Sequence, residues 1–116
     1  MRLKLIVALD SDEKTDIVID APRSGGATGA TVITSVRGEG LEPGKTFFGL
    51  DLAAHRDLVL FLVVEPRARE ILERIRDAGR FEEEQGVGIA FQVPIEDAVG
   101  LVTQMPTIME ELEDSI

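Results

Sequence analysis

The sequence contains no cysteine, so neither a disulfide nor a thiolate-held metal can contribute to this chain. Histidine is nearly absent too. His55 stands alone before an apolar run, where an imidazole is most often a surface residue, and no Ser-His-Asp set can be argued around it. Positive charge is scarce: 12 Lys and Arg face 22 Asp and Glu, a formal net charge of −10. A field of that sign repels phosphate backbones, so nucleic acid is excluded as the expected partner. Long hydrophobic runs are missing as well. The longest, residues 58–64, falls far short of the about 20 residues that span a bilayer. The apolar N-terminal stretch stops at Asp10, too early for a secretory signal. The expectation is a cytoplasmic protein with no membrane insertion. Aromatic residues number only five, all Phe, and two of them are adjacent at positions 47 and 48.

What is present suits one domain of 116 residues, able to bury roughly two thirds of its unfolded surface. Arg2 to Leu9 alternates at first and then turns apolar throughout, which predicts a strand entering the middle of a sheet. Ser11 or Asp12 can cap a following helix with Ile17, Val18 and Ala21 on its apolar stripe, ending near Pro22. Asp-Ile-Val-Ile-Asp at 16–20 is β-branched and is equally compatible with a strand. Gly25, Gly26 and Gly29 punctuate the return into a β-branched strand over 31–36. The stretch from Gly38 to about Ala54 is longer than a small domain needs for a connection, and reads as a binding element. Leu-Val-Leu-Phe-Leu-Val-Val at 58–64 is the strongest strand signal. Pro66 then suits the first turn of a helix in which Ile71, Leu72, Ile75 and Ala78 recur at helical spacing, with Gly79 as the expected C-cap. Glu82-Glu83-Glu84 forms an acidic turn before a last strand over 89–93. Residues 94–101 are compatible with a short helical turn or an edge segment, and an acidic tail follows.

The order strand, helix, strand, loop, strand, helix, strand predicts an α+β fold, the ferredoxin-like βαββαβ two-layer sandwich with both helices on one face of a four-stranded antiparallel sheet. In such a fold the bare face of the sheet should be polar at every second residue. Neither 6–9 nor 58–64 is, so something must cover that face. Homo-oligomerisation through the sheet is the simplest answer.

Several motifs fall away on inspection. Gly44-Lys45-Thr46 ends like a phosphate-binding P-loop, but Glu39 stands where that motif needs its first glycine. The three consecutive glutamates point in different directions and usually mark a solvated turn rather than a cation site. A carboxylate base such as Glu39 or Glu96 has no partner to work with. Phe47 and Phe48 either pack back on their own domain or dock a partner. The glycine pairs Gly38/Gly40 and Gly86/Gly88 serve turn geometry or turn backbone N–H groups toward an anion.

Taken together, these residues resemble the PII signalling family of nitrogen-regulatory proteins. Gly29-Ala30-Thr31-Val32 with Arg37-Gly38-Glu39-Gly40 is similar to the family's second strand and the root of its T-loop. Gly86-Val87-Gly88-Ile89-Ala90-Phe91 with Pro94-Ile95-Glu96-Asp97-Ala98-Val99 is similar to its B-loop, last core strand and C-terminal segment. The resemblance implies a trimer binding adenine nucleotides between subunits, with T-loops that dock onto transporters, enzymes or transcription regulators. The family's phosphate-holding cations are replaced here by Leu41, Ile89, Gly100 and Val102. Its magnesium and 2-oxoglutarate glutamine matches Glu42, and the lysine before its third strand matches Asp57, so sensing of 2-oxoglutarate is not implied. With no tyrosine in the chain, tyrosyl uridylylation is excluded.

The reading is a divergent, non-enzymatic PII-like regulator. Residues 1–102 form the folded domain, with a T-loop-like insertion at about 38–55, and 103–116 form the tail. Gly29, Thr31, Gly38, Gly40, Gly86, Val87 and Gly88 are the expected effector site, for AMP, ADP or cyclic AMP. Glu42, Lys45, Phe47 and Phe48 are the expected contacts to a protein target. The rivals are a trimeric protein of the divalent-cation-tolerance type, a ligand-free interaction module, and a small enzyme using a carboxylate base.

Overall fold

The alternating N-terminal stretch forms strand β1 (Leu3–Ser11) in the computed structural model, which describes residues 2–27, 29–37, 56–104, 106–107 and 109–110. A 3-10 turn (Asp12–Lys14) leads into α1 (Thr15–Asp20), so the β-branched segment folds as helix. At six residues α1 has under two turns and turns only Thr15 and Val18 fully inward. Ile17, expected on the apolar stripe, is left half exposed. A second 3-10 turn (Ala21–Gly25) delivers the chain to β2 (Thr31–Val36). Strand β3 (Arg56–Val64), helix α2 (Glu65–Gly79) and β4 (Gly88–Ile95) follow.

The strands lie in the order β2-β3-β1-β4, each antiparallel to its neighbours. With the helices on one face, this is the ferredoxin-like α+β arrangement. The core lies between the layers: Ile6 and Ala8 of β1, Val59, Phe61 and Val63 of β3, Val18 of α1, and Ala68, Ile71 and Ile75 of α2.

Helix α2 starts as its sequence demands, with Pro66 in the first turn. Its end differs from the expected one. Gly79 is the last helical residue, and Arg80 takes the left-handed C-cap position at φ 56°. The glycine is needed for another reason: a Cβ there would collide with the Phe81 ring, which folds back over the helix end. Phe81 also lies against Gly88, so one ring fills the corner between α2 and β4.

Among the described residues, α1 and α2 leave the opposite face of the sheet uncovered. Register puts Leu3, Val64 and Ile95 in one cross-strand row and Leu5, Leu62 and Val93 in the next. Val7, Leu60 and Phe91 form a third row, and Leu9, Leu58 and Ile89 a fourth, extended by Ile33 of β2. Every side chain that β1, β3 and β4 contribute to these rows is apolar, while Thr31 of β2 stands beside Leu60 in the third. Leu62, Phe91 and Ile33 are between 45% and 49% exposed, far more than an apolar side chain in a covered layer.

Candidate functional site

The glycines and Thr31 predicted to hold an effector divide between the two edges of the sheet. Gly29, Ala30 and Thr31 enter the outer strand β2 and line a cleft of about 390 Å³. Leu3, Leu62, Val63, Val64 and Leu101 complete its walls, and Gly26 closes one side in a left-handed conformation, φ 100°. The cleft is apolar, with backbone and one hydroxyl as its polar features. That composition suits a flat heterocycle better than a polyphosphate.

Gly86, Val87 and Gly88 lie at the other edge, in the turn that opens β4. Arg56, the first residue of β3, fixes this turn. Its buried guanidinium donates to the carbonyl of Gly86 at 2.6 Å and to that of Val87 at 3.0 Å. The Ser11 amide donates to Val87 as well, at 3.0 Å. In a trans peptide the N–H points opposite the carbonyl, and no cis bond occurs among the described residues. The N–H groups of Val87 and Gly88 are therefore directed away from Arg56 and β1, toward the open edge. Gly86 itself stands at φ 77°, in the left-handed region that favours glycine. Sequence reasoning missed the part played by Arg56, which in the pattern alone is only the lead into a strand starting at Leu58.

The two sets are separated by three strand spacings of about 4.8 Å each, on edges that face opposite ways. One subunit alone does not bring them together. Gly38, Gly40, Glu42, Lys45, Phe47 and Phe48 lie outside the described residues. Of the positions where the resemblance implies lost cations, Ile89 lies on the bare sheet face, and Gly100 and Val102 are exposed. A hollow of about 280 Å³ between α2 and β4 also touches Gly88, but Arg69, Arg76, Glu73 and Glu82 ring it with charges of both signs.

A second polar cluster lies at the same end of the sheet, on the helix side. Asp10 and Asp57 are directly opposed register partners on β1 and β3, and both are buried. Thr15 of α1 sits between them, its Oγ1 3.0 Å from Asp10 Oδ1 and 2.7 Å from Asp57 Oδ2. Asp10 Oδ2 is buried and meets no hydrogen-bond partner. The backbone amide of Ser35 donates to Asp57 Oδ1 at 3.4 Å. Burial raises the Asp10 carboxyl to about 6, and the charge of Asp57 adds to that rise. The Thr15 hydrogen bond and Arg56 pull the other way. A signal for this cluster was present in the sequence: Asp10 continues the inward row of Ile6 and Ala8 at period two. Among the described residues no group of three or more His, Cys, Asp or Glu could hold a metal ion.

A four-stranded antiparallel sheet backed by two helices is shared with solved PII-like structures. The chain superposes on a PII-like signalling protein from Thermus thermophilus with a TM-score of 0.60 at 21% identity, over 82% of this chain and 88% of that one. It also superposes on CPII from Thiomonas intermedia, bound to ADP, AMP and acetate, with a TM-score of 0.61 at 17% identity, over 83% and 90%. The apo form of CPII gives 0.62 at 15% identity, over 82% and 92%. No curated protein sequence matches the chain. The profile of the family described as Nitrogen regulatory protein P-II matches residues 3–105, and the chain belongs to that family. Among the described residues no helix is long and apolar enough to cross a membrane.

Proposed function

We propose that this protein is a non-enzymatic PII-like regulator that assembles as a trimer through the bare face of its sheet and binds an adenine nucleotide between subunits. The observation that carries the reading is the division of the site. Gly29 and Thr31 lie on one edge, Gly86, Val87 and Gly88 on the other, with an apolar face between them. Burying that face against further copies makes it possible for the β2 edge of one subunit to meet the β4 turn of the next. The apolar cleft then takes the base, and the outward N–H groups of Val87 and Gly88 take a phosphate. The binding of ADP and AMP by CPII, a protein of the same fold, supports the choice of ligand class.

Residues 38–55, with Gly38 and Gly40 at the root and Glu42, Lys45, Phe47 and Phe48 beyond, are the proposed contact to a target such as a transporter or enzyme. Residues 103–116 are proposed to lie outside the folded domain as an acidic tail.

The ligand preference follows from charge. Charge-assisted hydrogen bonds contribute about 1.5–3 kcal/mol each, and the positions that would meet added phosphates are Leu41, Ile89, Gly100 and Val102. Each further phosphate therefore brings desolvation cost and repulsion from an acidic surface without a matching gain. Calorimetry on the purified protein should give AMP and ADP tighter binding than ATP. A clear advantage for ATP would overturn the proposed pose, and failure of all three to bind would leave a ligand-free interaction module.

A further inference from the structure

We propose that Asp10, Thr15 and Asp57 form a proton-operated latch on the Ser35 end of β2, closed when Asp10 carries a proton. The argument starts from hydrogen-bond counting. Thr15 Oγ1 has a single proton to donate, yet it lies within hydrogen-bond distance of two carboxylate oxygens, and both side chains are buried. Two ionised carboxylates would compete for that one proton. With a proton on Asp10, every contact has a donor: Asp10 donates to Thr15 Oγ1, Thr15 donates to Asp57 Oδ2, and the Ser35 amide donates to Asp57 Oδ1. The proton enters or leaves at Asp10 alone, and no other covalent bond changes.

The far end of this relay is a weak point in the sheet. Ser35 holds φ 58°, a left-handed conformation costly for a residue with a Cβ. The β2–β3 register shifts between Ile33 and Val36, so the regular ladder does not hold Ser35. Asp57 supplies a substitute partner for its amide. When Asp10 loses its proton, two like charges face each other across one hydroxyl. The repulsion acts on Asp57, the carboxylate that also holds the Ser35 amide, so the Ser35 contact loosens with it.

The groups acting on Asp10 from the surrounding elements are few. From β3 come Asp57, of like charge, and Arg56, of opposite charge and committed to the carbonyls of Gly86 and Val87. From α1 comes Thr15, and from β4 the register partner Gly88, neither of them charged. Lys14, on the turn before α1, is engaged by Glu84 at 3.4 Å. The raised affinity of Asp10 for its proton agrees with this arrangement and puts the change near pH 6.

The test is NMR on the full-length protein in its native assembly, following the Asp10 carboxyl carbon and the Ser35 amide between about pH 4.5 and 8. Both should titrate with a shared midpoint near 6. Corrected for intrinsic exchange chemistry, Ser35 amide protection should be about tenfold higher at low pH than at high pH. In Asp10→Asn, a neutral mimic of the closed form, the Ser35 titration should vanish. A flat Ser35 amide beside a titrating Asp10 overturns the latch. So does an Asp10 midpoint in the ordinary carboxylate range, or a Ser35 titration that survives in Asp10→Asn. If that variant fails to fold, the two wild-type titrations decide the question alone.

Discussion

Asp10 is fully buried at the end of a strand, and its carboxyl binds a proton more tightly in the folded chain than in the unfolded one. The consequence for stability runs opposite to that of a salt-bridged aspartate. A folded-state value raised from 3.8 to about 6 contributes stability that is fully present below 3.8 and is lost as pH rises through 6. Wild-type stability should therefore fall across that window by up to about 3 kcal/mol. Asp10→Asn should flatten this slope and raise the melting temperature at pH 7.5, as measured by calorimetry across pH. A wild-type melting temperature that climbs steadily from pH 4 to 6 would contradict the assignment. Arg56 carries a second residue-scale prediction. Its planar fork reaches two successive carbonyls, a geometry that an ammonium does not reproduce. Arg56→Lys should lower stability by about 1–3 kcal/mol and weaken nucleotide binding several-fold by releasing the turn at 86–88. Denaturant titration and calorimetry measure the two effects separately.

At the scale of elements, the periodicity in the sequence was a good guide wherever packing obeys a single local rule. The strands followed from alternation and β-branching, and α2 from its Ile71–Ile75 stripe. What escaped depends on contacts between distant segments. Nothing local distinguishes Asp57 as a buried partner of Thr15, 42 residues away. Nor does Arg56 announce that two carbonyls 30 and 31 residues on lie within its reach. Gly79 looks like a cap in the sequence, but it is the Phe81 ring that requires the missing Cβ. The α1 segment balanced β-branching against its N-terminal acids and folded as a helix. Its length leaves Ile17 half exposed, where a longer helix would have rotated a second apolar turn onto the sheet. The candidate site was legible as two glycine turns. Their placement on opposite edges required the strand order.

For the whole molecule, the bare sheet face governs what concentration does. Four cross-strand rows of apolar side chains make a surface that a dilute monomer would have to leave in water. The assembled form should run as a trimer at micromolar concentration, with a melting temperature that rises with protein concentration. Leu62, 49% exposed near the centre of that face, is the place to test it. Leu62→Glu should give a monomer by light scattering, since a carboxylate buried between sheets loses far more than the leucine gains. A wild-type protein that remains monomeric would leave the apolar rows without an explanation.

The same sheet has two margins, and both are closed to open-ended growth by different means. On one side β2 breaks register between Ile33 and Val36, so an approaching strand would meet no continuous row of partners. On the other, β4 carries Pro94, which has no N–H to offer a further strand. A molecule with an adhesive face and blunted margins is expected to add copies through that face, in a closed assembly, and not by extending the sheet. The features that look like flaws in the ladder thus act as safeguards against fibrils, and repairing them would carry a risk. Replacing Pro94 by a β-branched residue would lengthen the β4 margin and expose a chain already rich in strand-forming residues to uncontrolled polymerisation.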